Sequence, residues 1–285
     1  MLKKITAALL MSISAAAFAV PMGSQSVLVV EDETGKVLLE KNATAVVPIA
    51  SLTKLMTAMV VLDSKLDMDE KISIDRDDVD TFKHSSSRVP VGASLSRGDV
   101  LQLALMSSDN RAAASLARTF PGGPTAFKAA VDAKIKALGM SSTRIEEPTG
   151  LSPNNISSAA DLVKMANAAG HYPEIRRMST DEREVITMKG RKVEYRNTNR
   201  LVGAKGWDIG LSKTGYTAEA GRCLIMRISE AGRNATVVLL NAKANSARLV
   251  DALNIRRLLA GGNEPKVKAA SPRKKAARTE RRRRR

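Results

Sequence analysis

The alternation of apolar and polar positions changes character along the chain. Near the start, two short apolar runs, "SVLVVED" and "KVLLEKN", flank Glu33-Thr34-Gly35, and this arrangement predicts a β-hairpin. Three more strand-like runs lie late in the chain, "WDIGLSKTGYT", "GRCLIMRIS" and "ATVVLLNAK", joined by turns that contain glycine. Strands near both ends therefore predict one antiparallel sheet to which both ends of the chain contribute.

Helical spacing of apolar residues dominates the middle of the chain. It runs from Ser51 to about Asp63 and recurs in "GDVLQLALM", "RAAASLARTF", "PTAFKAAVDAKIKALG" and "SSAADLVKMANAAG". The region 64–100 is polar, with a loop at "HSSSRVPVGASL", and a helix "SARLVDALNIRRLLAG" closes the pattern. We expect an α/β (α+β) fold in one unit, 20–263: a central antiparallel sheet flanked by helices, a helical lobe, and a cleft between the two lobes.

The first nineteen residues do not continue this pattern. A basic start, "MLKK", precedes the apolar run "ITAALLMSISAAAF" and the small-x-small site Ala17-Phe18-Ala19. This order is typical of a secretory signal peptide, too short and wrongly flanked for a transmembrane anchor. We expect residues 1–19 to be removed, the mature protein to start at Val20, and the product to be soluble in the periplasm.

Positive charge is concentrated near the other end. The formal net charge is +17, and 264–285 carries +9 of it, from eleven Lys or Arg and two Glu. This segment has no aromatic residue and few large apolar ones, which predicts a disordered basic tail. It is either a solvated tail or a segment attracted to anionic lipid or cell-wall polymer. Nucleic acid is not expected as a partner, since no aromatic residues interleave with the basic ones.

Cys223 is the only cysteine, so no internal disulfide forms within the chain. An unpaired cysteine in an exported protein can be a reactive thiol. Cys223, however, begins the apolar run "CLIM", which favours a buried thiol with a structural role.

Three short motifs bear on the chemistry of the chain. They are Ser51-Leu52-Thr53-Lys54, Ser108-Asp109-Asn110 and Lys213-Thr214-Gly215. Singly they are weak indicators, because S-x-x-K recurs at 271–274 and S-x-N at 152–154. The third motif occurs once. In this order the three form the signature of class A β-lactamases and penicillin-binding proteins, which attack amides with a serine.

The first motif places a lysine beside a serine. Residues three apart on a helix share a face, with Cβ atoms about 5–6 Å apart, so Lys54 can reach the hydroxyl of Ser51. Ser51 as a helix N-cap is the structural alternative. A capping serine prefers Glu or Gln three residues on, whereas Lys54 opposes the helix dipole. Lysine can act as a base only if its pKa falls from about 10.4, and burial together with Lys213 as a nearby second cation would lower it.

The other motifs supply the remaining groups of such a centre. We expect Ser108 to relay a proton toward the leaving nitrogen, and Asn110 to hold both the substrate and the lysine. Gly215 lets an extended peptide lie close to the strand edge. The structural alternatives are that Ser108 and Asn110 cap the helix that follows them, and that Lys213 is a surface residue of a strand.

The two histidines, His84 and His171, lie in no recognisable triad sequence. No cluster of His and Glu has the spacing of metal ligands either. We therefore expect neither a metal nor a cofactor, and both histidines are interpreted as surface or packing residues.

From these motifs outward, the chain resembles the low-molecular-mass penicillin-binding proteins. The resemblance rests on "PIASLTKLMTAMVVLD", "LALMSSDNRAAASLA", "EPTGLS" and "LSKTGYTAEAGRCLIMR", and it extends over about 25–260. It implies a β-lactamase/transpeptidase-like fold with a serine DD-peptidase domain at 20–263. By resemblance, Ser51 forms the acyl-enzyme, Lys54 is the base, and Ser108 and Asn110 complete the centre.

The resemblance also implies how the substrate is held. Lys213 and Thr214 would bind its carboxylate, and the backbone N–H groups of Ser51 and Tyr216 would form the oxyanion hole. Asp109, the middle residue of its motif, varies within such families and receives no role.

The expected function is that of a penicillin-binding serine DD-peptidase acting on peptidoglycan, with β-lactams as covalent inhibitors. Similarity to the endopeptidase branch favours hydrolysis of D-alanyl cross-links over the alternative, a D-alanyl-D-alanine carboxypeptidase. A β-lactamase is disfavoured because the E-x-x-L-N stretch that supplies a deacylating glutamate is missing. The non-enzymatic alternative is a cell-wall-binding protein whose affinity comes from the basic tail.

Overall fold

Strands from both ends of the described chain form one five-stranded antiparallel sheet. The structure, a computed structural model, describes residues 22–261, so the predicted signal peptide and the basic tail lie outside it. The strands are β1 (Ser26–Glu31), β2 (Val37–Lys41), β3 (Val47–Pro48), β4 (Lys71–Ser73), β5 (Ser94–Ser96), β6 (Ile156–Ser157), β7 (Arg183–Met188), β8 (Arg191–Arg196), β9 (Asp208–Thr217), β10 (Gly221–Glu230) and β11 (Arg233–Ala242). The central sheet has the order β2-β1-β11-β10-β9, which confirms the predicted sheet and leaves β9 at an edge.

Helices cover both faces of this sheet. They are α1 (Thr53–Asp63), α2 (Arg97–Met106), α3 (Asn110–Arg118), α4 (Gly123–Ala137), α5 (Ala159–Ala169), α6 (Pro173–Thr180) and α7 (Asn245–Leu259). α7 packs on one face, against β10 and β11, whereas α5 packs on the other, against β1, β10 and β11. No helix in the part of the chain that the structure describes is both long and apolar enough to cross a membrane.

The alternation within each strand divides the core in two. In β11, Val237 belongs to the cluster that faces α7, and Val238 belongs to the larger cluster on the helical side. Successive side chains of a strand point to opposite faces, so a continuously apolar strand serves both clusters. α1 lies inside the larger cluster and is buried from Thr53 to Val61. This burial explains why α1 is apolar on nearly every side.

Several parts of the fold differ from the predictions, among them the paired strands β4 and β5 in the region 64–100, where only a loop is predicted. The α-helix begins at Thr53 rather than at Ser51, because a turn of 3-10 helix, Ala50–Leu52, precedes it. No element is predicted between Gly170 and Trp207, where the structure has α6 and the β7–β8 hairpin. Pro173 stands in the first turn of α6, and Gly190 at the hairpin turn has a positive φ of 77°.

Candidate active site

The backbone around Ser51 is tightly packed by two glycines from distant parts of the chain. A Cβ on Gly150, which has a φ of +86°, would lie 2.0 Å from the carbonyl oxygen of Ala50. A Cβ on Gly215 would lie 3.1 Å from the backbone nitrogen of Ser51. Glycine at both positions lets two other chain segments approach the serine turn closely.

Lys54 is buried and 1% exposed, and its side-chain nitrogen contacts three oxygens. Lys54 Nζ donates to Ser51 Oγ at 2.9 Å, to Asn110 Oδ1 at 2.7 Å and to the backbone oxygen of Thr149 at 2.6 Å. The amide oxygen and the carbonyl can only accept hydrogen bonds, whereas the hydroxyl can also donate one. A neutral Lys54 would therefore keep its two N–H groups on Asn110 and Thr149 and turn its lone pair to Ser51.

Burial makes the loss of that proton easier. It lowers the pKa of Lys54 to about 8, although the nearby carboxylates of Glu147 and Asp109 act in the opposite direction. The pKa of Lys213 falls well below its ordinary value, chiefly through burial and further through the positive charges of Lys54 and Arg248. Because both amines are buried in one site, a positive charge on one lysine disfavours protonation of the other.

Lys213 lies in the middle of β9 and points into the protein. Its Nζ donates to Ser108 Oγ at 2.8 Å and to the backbone oxygen of Thr214 at 3.0 Å. Ser108 has a φ of +60°, a left-handed conformation that is costly for a residue other than glycine. Lys213 is 1% exposed, so the alternative of a surface lysine is wrong.

The segment before α3 is held by Asp109, to which the sequence predictions give no role. Asp109 is the N-cap of α3, because its carboxylate accepts from the N–H of Ala112 at 3.0 Å and from the hydroxyl of Ser87 at 2.7 Å. The alternative of Ser108 and Asn110 as caps is therefore wrong. With α3 capped by Asp109, the Asn110 side chain is free to bond elsewhere, and its Nδ2 donates to Ser85 Oγ at 2.9 Å.

Glu147 organises the turn that supplies one of the partners of Lys54. Its carboxylate accepts from the backbone N–H groups of Thr149 at 2.7 Å and Gly150 at 2.7 Å, and from Asn155 Nδ2 at 3.0 Å. The bonds fix the Thr149 carbonyl that contacts Lys54 and the glycine that packs on Ala50. Glu147 begins the stretch "EPTGLS", but the sequence predictions give it no role. An acidic residue shortly before a Thr-Gly pair is a signal for a carboxylate-braced turn.

The outer edge of β9 borders the site. β9 pairs with β10 on one side and has no sheet neighbour on the other among residues 22–261. The hydroxyl of Thr214 donates to the Thr198 hydroxyl at 2.6 Å. Tyr216 is 55% exposed, and the guanidinium of Arg222 stacks 3.7 Å from the centre of its ring. An edge strand offers unpaired backbone groups to an extended peptide.

The predicted residues therefore fall into two hydrogen-bonded groups. Ser51, Lys54 and Asn110 form one group, and Ser108 and Lys213 form the other. Gly215 joins the two groups, since it follows Lys213 on β9 by two positions and lies against the backbone of Ser51. A serine hydroxyl beside a buried amine, with a strand edge along it, can attack an amide of a bound peptide.

Solved structures place this architecture in a known class. The crystal structure of the Streptomyces K15 DD-transpeptidase has a TM-score of 0.79 and 24% identity, covering 85% of this chain and 99% of that one. Penicillin-binding protein D2 from Listeria monocytogenes, in its ampicillin-bound form, has a TM-score of 0.71 and 28% identity, covering 84% of this chain and 97% of that one. The fold is that of the DD-transpeptidases and penicillin-binding proteins.

Sequence comparison then gives the family. The family model of peptidase S11, D-alanyl-D-alanine carboxypeptidase, matches residues 13–244, and the chain belongs to this family. The D-alanyl-D-alanine endopeptidase of Pseudomonas aeruginosa is 46% identical over 252 residues, and that of Escherichia coli K12 is 43% identical over 252 residues. Each alignment covers 88% of this chain and 81% of the relative. The predicted class, a penicillin-binding serine DD-peptidase, is confirmed.

Proposed function

We propose that this chain is an endopeptidase that hydrolyses D-alanyl cross-links of peptidoglycan through an acyl-enzyme on Ser51. The observation that carries the proposal is the position of the Lys54 nitrogen, 2.9 Å from the serine hydroxyl and held by two further acceptors. The two relatives named D-alanyl-D-alanine endopeptidase support the choice of cross-links as the substrate.

In the first step, neutral Lys54 takes the hydroxyl proton of Ser51 as the oxygen attacks the carbonyl carbon of D-alanine. The bond between Oγ and carbon forms, and the negative charge moves to the carbonyl oxygen. The backbone N–H groups of Ser51 and Tyr216 receive this charge, as donors of an oxyanion hole do. Since two fixed acceptors hold Lys54, little of its motion has to be lost at the transition state.

In the second step, the bond between carbon and the leaving nitrogen breaks, and that nitrogen takes up a proton. Ser108, hydrogen-bonded to Lys213 at 2.8 Å, relays to the nitrogen the proton that Lys54 took from Ser51, so Lys54 is neutral again before deacylation. Water then attacks the ester carbon and passes a proton to Lys54, and the bond to Oγ breaks with return of a proton to Ser51. The acyl group leaves as a free carboxylate, and the resting hydrogen bonds are restored.

Lys213 and Thr214 bind the substrate carboxylate on the leaving side. Burial disfavours the charged form of Lys213. A bound carboxylate reverses this preference, because a nearby anion favours the ammonium form. Ionisation of Lys213 would thus accompany substrate binding, and the site would favour peptides with a free carboxylate beside the cleaved bond.

Labelling with a fluorescent penicillin tests the nucleophile. We expect a covalent band for the wild type and none for Ser51→Ala, with the far-UV circular dichroism spectrum of the variant unchanged. A band that persists in the variant would place the acylated residue elsewhere. Rapid hydrolysis of the penicillin by the wild type would favour the β-lactamase alternative instead.

The choice between the two peptidase activities requires two substrates. Purified protein is given a cross-linked muropeptide dimer and an uncross-linked muropeptide ending in D-alanyl-D-alanine, and the products are separated by chromatography and weighed by mass spectrometry. We expect monomers from the dimer as the faster reaction. Faster release of free D-alanine from the second substrate would favour the carboxypeptidase alternative.

Export and the basic tail are further parts of the proposal. Residues 1–19 would direct the chain to the periplasm, where its substrate lies, and 264–285 would attract anionic lipid or cell-wall polymer through its charge of +9. Deletion of 264–285 should leave activity on soluble muropeptides unchanged and weaken sedimentation with isolated cell walls. Unchanged sedimentation would leave the tail as a solvated segment.

A further inference from the structure

An ion pair connects the two sides of the candidate active site. Lys83 Nζ donates to the carboxylate of Glu219 at 2.6 Å, across 136 positions of sequence. Lys83 lies in the loop 79–93, which precedes β5, and Glu219 lies in the turn between β9 and β10. This ion pair, the Lys83–Glu219 bridge, ties the loop to the edge strand of the central sheet.

The loop that carries Lys83 has its own attachments to the helical side of the site. Ser85 Oγ accepts from Asn110 Nδ2 at 2.9 Å, and the hydroxyl of Ser87 donates to the Asp109 carboxylate at 2.7 Å. Neither contact involves Glu219. Loss of the bridge would therefore leave the loop anchored beside Asn110 and remove only its connection to the sheet.

The backbone around Lys83 is braced as well. The carboxylate of Asp80 accepts from the backbone N–H groups of Lys83 at 3.0 Å and Ser85 at 2.8 Å. His84, between them, has a φ of +53°, a left-handed conformation that is costly for a residue other than glycine. Because this backbone is already ordered, forming the bridge costs mainly the freedom of two side chains.

The bridge is charged at neutral pH but is not shielded from water. The hydrogen bond from Lys83 is the largest of the effects that lower the pKa of Glu219 to about 2. The side chains of Lys83 and Glu219 are 21% and 42% exposed. An ion pair with this exposure favours its closed state by about fivefold at most, so the bridge can open readily.

The bridge lies toward one end of the bound peptide. In the proposed function, the substrate carboxylate contacts Lys213 and Thr214, and the attacked carbonyl contacts the backbone N–H of Tyr216. These contacts set the direction of the peptide along β9, from its leaving half to its acyl half. Glu219 follows Tyr216 by three positions, in the turn after β9, so the acyl half leaves the site toward the bridge.

Substrates differ in whether they have to pass the bridge. A small β-lactam ends within the site and does not extend beyond it. In intact peptidoglycan, both halves of a cross-link continue into stems that are joined to glycan strands, so the substrate has no free end to thread beneath a closed bridge. Such a substrate can enter only from the side, while Lys83 and Glu219 are apart.

We propose that the Lys83–Glu219 bridge discriminates between substrates: it has to open for a peptide anchored to glycan at both ends, and it can stay closed over a small ligand. The inference rests on the proposed function, which supplies the direction of the peptide. A substrate that binds only the open state has its apparent affinity reduced in proportion to the open fraction. Removal of the bridge should therefore accelerate cleavage of the anchored substrate alone.

Neutral variants measure this effect. Lys83→Met and Glu219→Gln should each raise the initial rate of monomer release from isolated peptidoglycan sacculi, at low substrate concentration, by up to about fivefold. The rate constant for acylation by benzylpenicillin, followed by intact-protein mass spectrometry, should stay unchanged. The two variants change the net charge in opposite directions, so a shared increase is not a general charge effect. Lys128→Met, which breaks an exposed ion pair on α4, is the matched control and should change neither rate.

Charge exchange and a covalent tether complete the test. Lys83→Glu combined with Glu219→Lys restores opposite charges and should return both rates toward wild-type values. Lys83→Cys and Glu219→Cys in one chain are joined by a bis-maleimide with a reducible linker; the native Cys223 is buried. The tethered protein should react with benzylpenicillin but lose monomer release from sacculi, and reduction of the linker should restore it. Each single cysteine variant, treated with the same reagent, is the control.

Failure of this inference is distinguishable from failure of the proposed function. If the wild type cleaves sacculi, and neither the neutral variants nor the tether changes that rate relative to acylation, the bridge does not select substrates. An equal loss of both rates in the neutral variants would make the bridge a support for Asn110 and would also overturn the inference. If Ser51→Ala still forms the penicillin adduct, or the wild type releases no monomers from sacculi, the proposed function itself is wrong.

Discussion

The nitrogen of Lys54 lies 2.9 Å from the hydroxyl oxygen of Ser51, and the fixed oxygens of Asn110 and Thr149 occupy its other two bonding positions. Of the three partners only the serine hydroxyl can donate a proton, so a proton can move only between Ser51 and Lys54. In the proposed mechanism, the reactivity of the pair therefore depends on the pKa of Lys54.

The rate of acylation by penicillin should rise with pH. Burial lowers the pKa of Lys54 to about 8, so below this pH most molecules carry the ammonium, which cannot accept a proton. We expect the second-order rate constant to increase about tenfold per pH unit well below 8 and to level off above it. Stopped-flow measurement with a fluorescent penicillin gives the profile. A rate independent of pH between 6 and 8 would exclude Lys54 as the titrating base.

Glu147→Gln should move this profile to lower pH. The Glu147 carboxylate raises the pKa of Lys54, so its removal favours the neutral amine. The plateau rate should fall as well, because the new amide N–H₂ meets backbone donors that the carboxylate now accepts from. Glu146→Gln is the control, since Glu146 bonds instead to the Ser152 hydroxyl. A midpoint shifted equally by both variants would assign the effect to general charge.

Gly150→Ala should destabilise the protein and abolish acylation. A methyl group there would lie 2.0 Å from the Ala50 oxygen, on a backbone with a φ of +86°. We expect a loss of about 3 kcal/mol in the free energy of unfolding, measured by urea denaturation. Gly35→Ala is the control, because Gly35 has a similar positive φ of +68° and open space around it. It should cost about 1 kcal/mol and leave acylation unchanged.

Arg118→Met should reduce stability much more than removal of an exposed ion pair. Asp78 is buried, and Arg118 holds it with bonds of 2.8 and 2.9 Å. Without its partner the buried carboxylate is uncompensated, at a cost of about 3 kcal/mol. Lys128→Met, which removes the exposed pair with Asp132, should cost less than about 0.5 kcal/mol. Equal denaturation midpoints for the two variants would contradict this account.

The sequence predicts the sheet and most of the helices because their apolar residues have a clear period. β9 is an example: its apolar positions predict a strand, and its Lys213-Thr214-Gly215 motif predicts where that strand meets the chemistry. The segment of α6 and the β7–β8 hairpin gives no such prediction. α6 is eight residues long, and β8 has only two apolar residues, Val193 and Tyr195, so tertiary packing decides their structure.

Within the candidate site, the sequence predicts the residues that belong to the three short motifs. Glu147 and the Thr149 carbonyl escape prediction because their importance depends on contacts with residues nearly a hundred positions away. The N-cap role of Asp109 is not predicted either, since the sequence offers only its two neighbours as caps, and only as a structural alternative. Asp109 caps α3 because it directly precedes the helix in an extended conformation and its carboxylate accepts from the N–H of Ala112.

The packing of Gly150 and Gly215 on the serine turn has a consequence for how the protein is assayed. Three segments, separated by about a hundred and by sixty-five positions, must meet before Ser51 is positioned beside a buried amine. A chain that has not finished folding holds only an ordinary alcohol and an ordinary ammonium. With Ser51 as the proposed site of acylation, covalent uptake of penicillin would count natively folded molecules, and the labelled fraction of a preparation would measure its native yield.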